Sequence, residues 1–250
     1  MERKHFLKNS LAALGLAAIA PLANSCSKDT DTTTTTTTGT DSTGTTTGGT
    51  TSGDCTVTDT ETEGPYPTKT PSSYVRSDIT DGQTGVALTV KITIRNVNNS
   101  CAVLAGALVD IWHCNVTGYY SEYTVNPGGG YSSINYTSAH FLRGRQTTDS
   151  NGLVTFTSIF PGWYASRAPH IHAHIYNSSG TSLLVTQIAF PTDVCNTVYT
   201  TATDYIAHGT QDTSNSADSV FKDSLDNELS TVTGSVSGGY TLTHTIYVKA

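Results

Sequence analysis

The run Pro161-Gly162-Trp163-Tyr164-Ala165-Ser166-Arg167-Ala168-Pro169-His170-Ile171-His172 gathers a phenol, a guanidinium and two imidazoles between Tyr164 and His172. On a strand, side chains alternate faces, so His170 and His172 point the same way. Two imidazoles on one face can grip one metal ion. Tyr164, in the turn before them, can add a phenolate. A free tyrosine has a pKa of about 10, so a phenolate at neutral pH needs a strong Lewis acid beside it. His-x-His alone would suggest zinc. Ferric iron is hard and charge-dense and favours anionic oxygen. The combination therefore points to iron, and to a chemistry of oxygen rather than of water. His174 continues the alternation but lies about 6–7 Å further along a strand, too far for a further ligand. Nothing in the sequence assigns it a purpose.

Strands must position these groups. Val86, Leu88, Val90, Ile92 and Ile94 alternate with Ala87, Thr89, Lys91, Thr93 and Arg95, the period of a half-buried strand. Residues 107–113, 153–160, 170–176, 183–190 and 240–248 continue the pattern, punctuated by turns such as Asn151-Gly152, Ser179-Gly180 and Gly238-Gly239. Residues 219–229 could form one short helix; no long helix-period stretch follows residue 26. The expectation is an all-β chain, a β-sandwich of the prealbumin or immunoglobulin kind with six or seven short strands. Residues 119–139 form a long Gly- and Tyr-rich connection, and such loops in compact domains usually carry function.

The first 26 residues read as an export signal rather than fold. Arg3, Lys4 and Lys8 precede the apolar stretch Leu11–Ala20. Arg3-Lys4 resembles a twin-arginine signal with one arginine replaced. Ala23-Asn24-Ser25-Cys26 resembles a lipoprotein cleavage site, which makes Cys26 the candidate for lipidation and membrane anchoring. Residues 27–54 are rich in Thr, Gly, Ser and Asp, with nothing to bury; they read as a flexible tether. An exported protein, periplasmic or at the cell surface, follows as the expectation. Residues 55–250 suffice for one domain with a real core. With 20 acidic and 13 basic side chains, nucleic acid is a poor partner. The sequence assigns no oligomeric state. Cys55, Cys101, Cys114 and Cys195 suggest two disulfides in an exported chain. Cys101 with Cys114 is disfavoured because the strand at 107–113 holds them apart; the two remaining pairings stay open.

Four blocks make residues 55–250 resemble the intradiol ring-cleavage dioxygenases, in their secreted single-domain branch. They are Thr62-Glu63-Gly64-Pro65-Tyr66; Val109 through Ser121, with Trp112-His113-Cys114 and Gly118-Tyr119-Tyr120-Ser121; Phe141-Leu142-Arg143-Gly144-Arg145-Gln146-Thr147-Thr148-Asp149 through Phe156; and Pro161–His172. The resemblance implies a non-haem Fe(III) held by Tyr120, Tyr164, His170 and His172. Tyr119 is the nearest rival for the first of these. It implies that Arg167 stabilises negative charge on the substrate, and that Tyr66 and Gln187 line the substrate pocket. Tyr164 would double as a base. The implied reaction opens catechol-type diols with O2 to cis,cis-muconate-type products. Ser166 departs from the pattern, where Gly is usual, and His174 departs where Lys is frequent.

Two other readings compete. An exported zinc hydrolase would use His170 and His172, with His174 as a further candidate, but needs a carboxylate base, and no Asp or Glu stands beside them in the sequence. A non-enzymatic surface sandwich binding sugar or protein would leave Tyr120, Tyr164 and Arg167 without a role.

Overall fold

The computed structural model describes residues 55–250. The signal, Cys26 and the tether lie outside the described residues. Eleven strands are assigned: β1 (Ala87–Asn96), β2 (Ala102–Val103), β3 (Leu108–Trp112), β4 (Thr124–Val125), β5 (Ile134–Asn135), β6 (Arg143–Thr147), β7 (Leu153–Ile159), β8 (His170–Tyr176), β9 (Ser182–Ala189), β10 (Thr231–Ser235) and β11 (Gly239–Val248). Short helices α1 (Thr192–Thr201), α2 (Thr203–Ile206) and α3 (Leu225–Glu228) join β9 to β10.

In the first sheet β1 is central. It runs parallel to β11 on one side and antiparallel to β7 and the short β2 on the other, with β10 outside β11. The second sheet has the order β6-β3-β8-β9 and is antiparallel throughout. The period-two pattern drives this arrangement. Leu88, Val90, Ile92 and Ile94 of β1 share one buried cluster with Val109 and Ile111 of β3 and Ile171, Ala173 and Ile175 of β8. The two sheets thus close on each other through alternate residues, as a sandwich requires. The all-β sandwich is confirmed.

Three local expectations need correction. The helix expected over residues 219–229 is confined to α3, while a ten-residue helix, α1, occupies a stretch where no helical period stood out. The long connection at 119–139 carries a small hairpin of β4 and β5. The two expected disulfides reduce to one, Cys55–Cys101. Cys114 and Cys195 are free and buried. They sit in different clusters, Cys114 among Trp112, Tyr119 and Tyr120, and Cys195 in the main core.

Candidate functional site

Strand β8 turns Ile171, Ala173 and Ile175 into the core, so His170, His172 and His174 fall on the opposite face of its sheet. Strand register then builds two rows across that face. Arg143, Trp112, His172 and Gln187 form one; Arg145, Asp110, His174 and Val185 form the next. His170 and His172 are both buried. His170 Nδ1 donates to the Ala168 carbonyl at 2.6 Å, which leaves its Nε2 as a lone pair. That Nε2 lies 3.1 Å from His172 Nε2, so the two imidazoles converge on one point. The Trp112 ring stacks on His172 at 4.9 Å with 1° between planes and fixes its orientation. Burial, reinforced by Arg167, pushes the His170 pKa down to about 3. Burial and then His170 hold His172 well below its ordinary value. Both rings are neutral lone-pair donors at physiological pH.

Tyr120 faces them from the loop after β3. Asn115 shapes that loop: its side-chain oxygen accepts from Thr117 N at 3.2 Å and Tyr119 N at 3.0 Å. Gly118 has φ +85°, and a Cβ there would lie 2.4 Å from the Trp163 carbonyl, so only glycine lets this loop cross beside Tyr164. The Tyr120 ring sits 5.7 Å from Tyr164 and 6.0 Å from His172. Tyr164 sits 5.7 Å from His170. The rival Tyr119 is turned away, its hydroxyl donating to the Ser132 carbonyl at 2.7 Å.

Tyr120 has no solvent exposure and its hydroxyl has no hydrogen-bond partner. Such an orphan is costly unless something else satisfies it. Burial raises its pKa well above 10, and burial raises Tyr164 to about 12. Both phenols keep their protons unless a cation draws them off. Two neutral imidazoles and two phenols, one fully buried and orphaned and one half-buried, fit a hard trivalent ion. Among the described residues no group of three or more His, Cys, Asp and Glu side chains converges as a metal site. A ligand set at this point would need the tyrosines.

Arg167 connects the remaining candidate residues. Its NH1 donates to Tyr164 Oη at 3.2 Å and its NH2 to Gln187 Oε1. Its Nε donates to both oxygens of Asp218, at 3.0 and 2.8 Å. Burial works against its charge, but Tyr164 and Asp218 outweigh burial and raise its pKa. Gln187 is held in turn by donating to the Thr62 carbonyl at 2.9 Å. Tyr66 closes the site, 5.0 Å from the Tyr120 ring and 6.4 Å from Tyr164.

Sequence reasoning missed three supports. Arg143 donates to Ser121 O at 2.7 Å, Ser121 Oγ at 2.9 Å, Tyr66 O at 3.0 Å and Thr68 Oγ1 at 3.1 Å, pinning the loops that carry Tyr120 and Tyr66 together. It lies inside a quoted block, but no local pattern distinguishes it from Arg145. Trp112 also stands in a quoted block, where nothing local announces its stack on His172. Asp218 had no sequence signal at all. His174 does acquire a purpose: Nδ1 meets Glu63 at 3.0 Å and the Tyr176 hydroxyl at 2.8 Å, and Nε2 meets Ser182 at 2.8 Å. It fastens the start of the 62–67 segment to the sheet. Ser166 has φ +68°, a left-handed conformation that explains why glycine is usual there.

A sandwich sheet bearing two histidines opposite two tyrosines, with a guanidinium beside one phenol, describes a dioxygenase of the β-sandwich type. A family model described as Dioxygenase matches residues 62–227. An intradiol ring-cleavage dioxygenase from Tetranychus urticae superposes with TM-score 0.68 at 27% identity, covering 78% of this chain and 95% of that one. The dioxygenase domain of a dioxygenase carbohydrate-binding protein fusion from Streptomyces sp. SirexAA-E shares the fold, with TM-score 0.53 at 24% identity over 78% of this chain and 99% of that one. No curated protein matches the sequence. The chain belongs to the intradiol ring-cleavage dioxygenases and is an enzyme of that family. Neither the zinc hydrolase nor the surface-module reading is favoured.

Proposed function

We propose that this enzyme uses Fe(III), held by Tyr120, Tyr164, His170 and His172, to open catechol-type diols between their two hydroxyl-bearing carbons. Both atoms of O2 enter the product, a cis,cis-muconate-type diacid, so no external reductant is consumed. The observation that carries this reading is the orphaned, fully buried Tyr120 hydroxyl facing two converging imidazole nitrogens. When bound, the ferric ion would supply the Lewis acidity that makes a catecholate reactive toward dioxygen.

The chain's own residues supply the rest. Tyr164, once a bound cation had made it a phenolate, would take a proton at Oη from one substrate hydroxyl, acting as a positioned base. Arg167, whose NH1 is 3.2 Å from that oxygen, stabilises negative charge on the ring. Gln187 holds NH2 of Arg167 and walls the slot beside His172. The Tyr66 ring offers an aromatic face to a flat substrate. Trp112 stacks on His172 and keeps its ring from turning. The signal-like residues 1–26, Cys26 and the tether support an exported and lipid-anchored enzyme.

The test is direct. Protein loaded with ferric iron should be red to burgundy, and catechol with oxygen should yield muconate-type ultraviolet absorbance. Tyr164→Phe and His172→Ala should each lose ring cleavage by on the order of 100-fold or more, and His172→Ala should also lose iron. A colourless iron-loaded protein, a yellow semialdehyde product, or full activity in either variant would sink the reading.

A further inference from the structure

Arg167 has three nitrogens and three separate duties. Nε is spent on Asp218, NH1 on Tyr164 and NH2 on Gln187. Asp218 comes from neither sheet. It lies in the connection before α3, 51 residues beyond Arg167, and has no solvent exposure. Its carboxylate also accepts from Ala168 N at 2.8 Å and Val220 N at 2.9 Å. A carboxylate offers about four lone-pair sites, and these contacts use them. Phe221 lies 5.5 Å beneath the guanidinium and closes the far side.

A guanidinium is planar and rigid, so fixing its Nε edge fixes where NH1 and NH2 point. The Ala168 and Val220 amides fix the carboxylate, the carboxylate fixes Nε, and NH1 then faces Tyr164 Oη. The carboxylate also supplies the counter-charge that lets the guanidinium stay buried. We propose that Asp218 is the positioning residue that aims Arg167 at Tyr164 in the ring-opening step; this rests on the function proposed above. It touches neither substrate nor metal in that reading and acts only through Arg167.

Asp218→Asn preserves shape and removes the charge. In iron-loaded enzyme it should lower kcat on the order of 100-fold, as misaimed catalytic groups do, with KM for catechol changing by no more than about threefold. Introduced into Arg167→Ala, the same substitution should cost nothing further, because the two share one interaction. Arg167→Lys guards against a variant that fails to fold. A lysine keeps the charge but cannot face Asp218, Tyr164 and Gln187 together, so it should lose kcat as Asp218→Asn does. A readout independent of turnover comes from nitrogen NMR of metal-free protein. The Arg167 Nε–H signal, identified by its loss in Arg167→Lys, should exchange slowly with solvent and become fast in Asp218→Asn. Additive losses in the double variant, full activity of Arg167→Lys, or a fast-exchanging Nε–H in the unaltered protein would each overturn the role. Active wild type with an unimpaired Asp218→Asn overturns this role alone. Iron-loaded wild type that leaves catechol intact overturns the functional reading and this role with it.

Discussion

Single atoms decide whether the site can form. Gly64 has φ +69°, and a Cβ there would sit 2.9 Å from His172 Cε1. Gly64→Ala should therefore displace the His172 ring or the segment around it. The expected outcome is iron affinity reduced about 10-fold or more, as when a ligand's supporting contacts are lost, measured by iron titration; unchanged affinity would mean the segment simply yields. This contact was invisible in the sequence, because it joins residues 64 and 172 through folding alone. His170 and His172 were legible because a period of two is a local property. The choice between Tyr120 and Tyr119 was less so, since adjacent residues in a loop have no fixed alternation. The Asn115 turn and the Gly118 crossing send the Tyr120 ring toward His172 and the Tyr119 hydroxyl to Ser132. Ser166 shows the opposite case, where an oddity in the sequence marked a real left-handed turn.

At the scale of elements, strands were readable and the helices were not. The alternation in β1 and much of β11 survives as buried and more exposed faces, while in β8 it separates a core face from a site face that is buried too. Helix α1 is Thr-rich, lacks a side-chain N-cap, and buries only Cys195, Val198 and Tyr199, so neither propensity nor a long stripe announces it. Helix α3 carries a buried acid with an effect of its own. Glu228 accepts from Thr186 at 2.8 Å and Ser224 at 2.7 Å, and the Ser224 hydroxyl also lies 3.2 Å from a Glu61 oxygen. Burial, only partly offset by these hydroxyls, raises the Glu228 pKa from 4.5 to about 7. The folded protein thus favours the protonated acid, while the unfolded chain ionises near 4.5. The stability contributed by the protonated form is complete below about pH 4.5 and is lost as pH rises through about 7. Glu228→Gln should remove that loss. Thermal unfolding from pH 5 to pH 8 should show the variant gaining on wild type as pH rises, whereas a constant difference would place the carboxyl outside any titration.

Taken together, residues 55–250 form a sandwich whose candidate site lies on the outside of one sheet. The core between the sheets sets the register, and the register sets the row Arg143–Trp112–His172–Gln187. Segments far apart in the chain, around residues 64, 120 and 218, then close over that row. Two buried thiols complete the inventory. Burial pushes Cys114 up to about 12 and raises Cys195 as well, so neither should react in the native state. A protein lacking Cys26 should release two thiols to a colorimetric reagent on unfolding without reductant, and four with it; none in the unreduced unfolded protein would reinstate a second disulfide. The bridge that does form has a mechanical consequence. Cys55 is cross-linked to Cys101, beside the end of β1, before the chain reaches the 62–67 segment against His172. A pull arriving from the N-terminal side at Cys55 is passed into the β1–β2 corner and spread over the ladder β1 shares with β11 and β7. The segment over the histidines is thereby spared the strain. Under tension, a reduced or Cys55→Ser protein should lose iron at forces the bridged protein withstands.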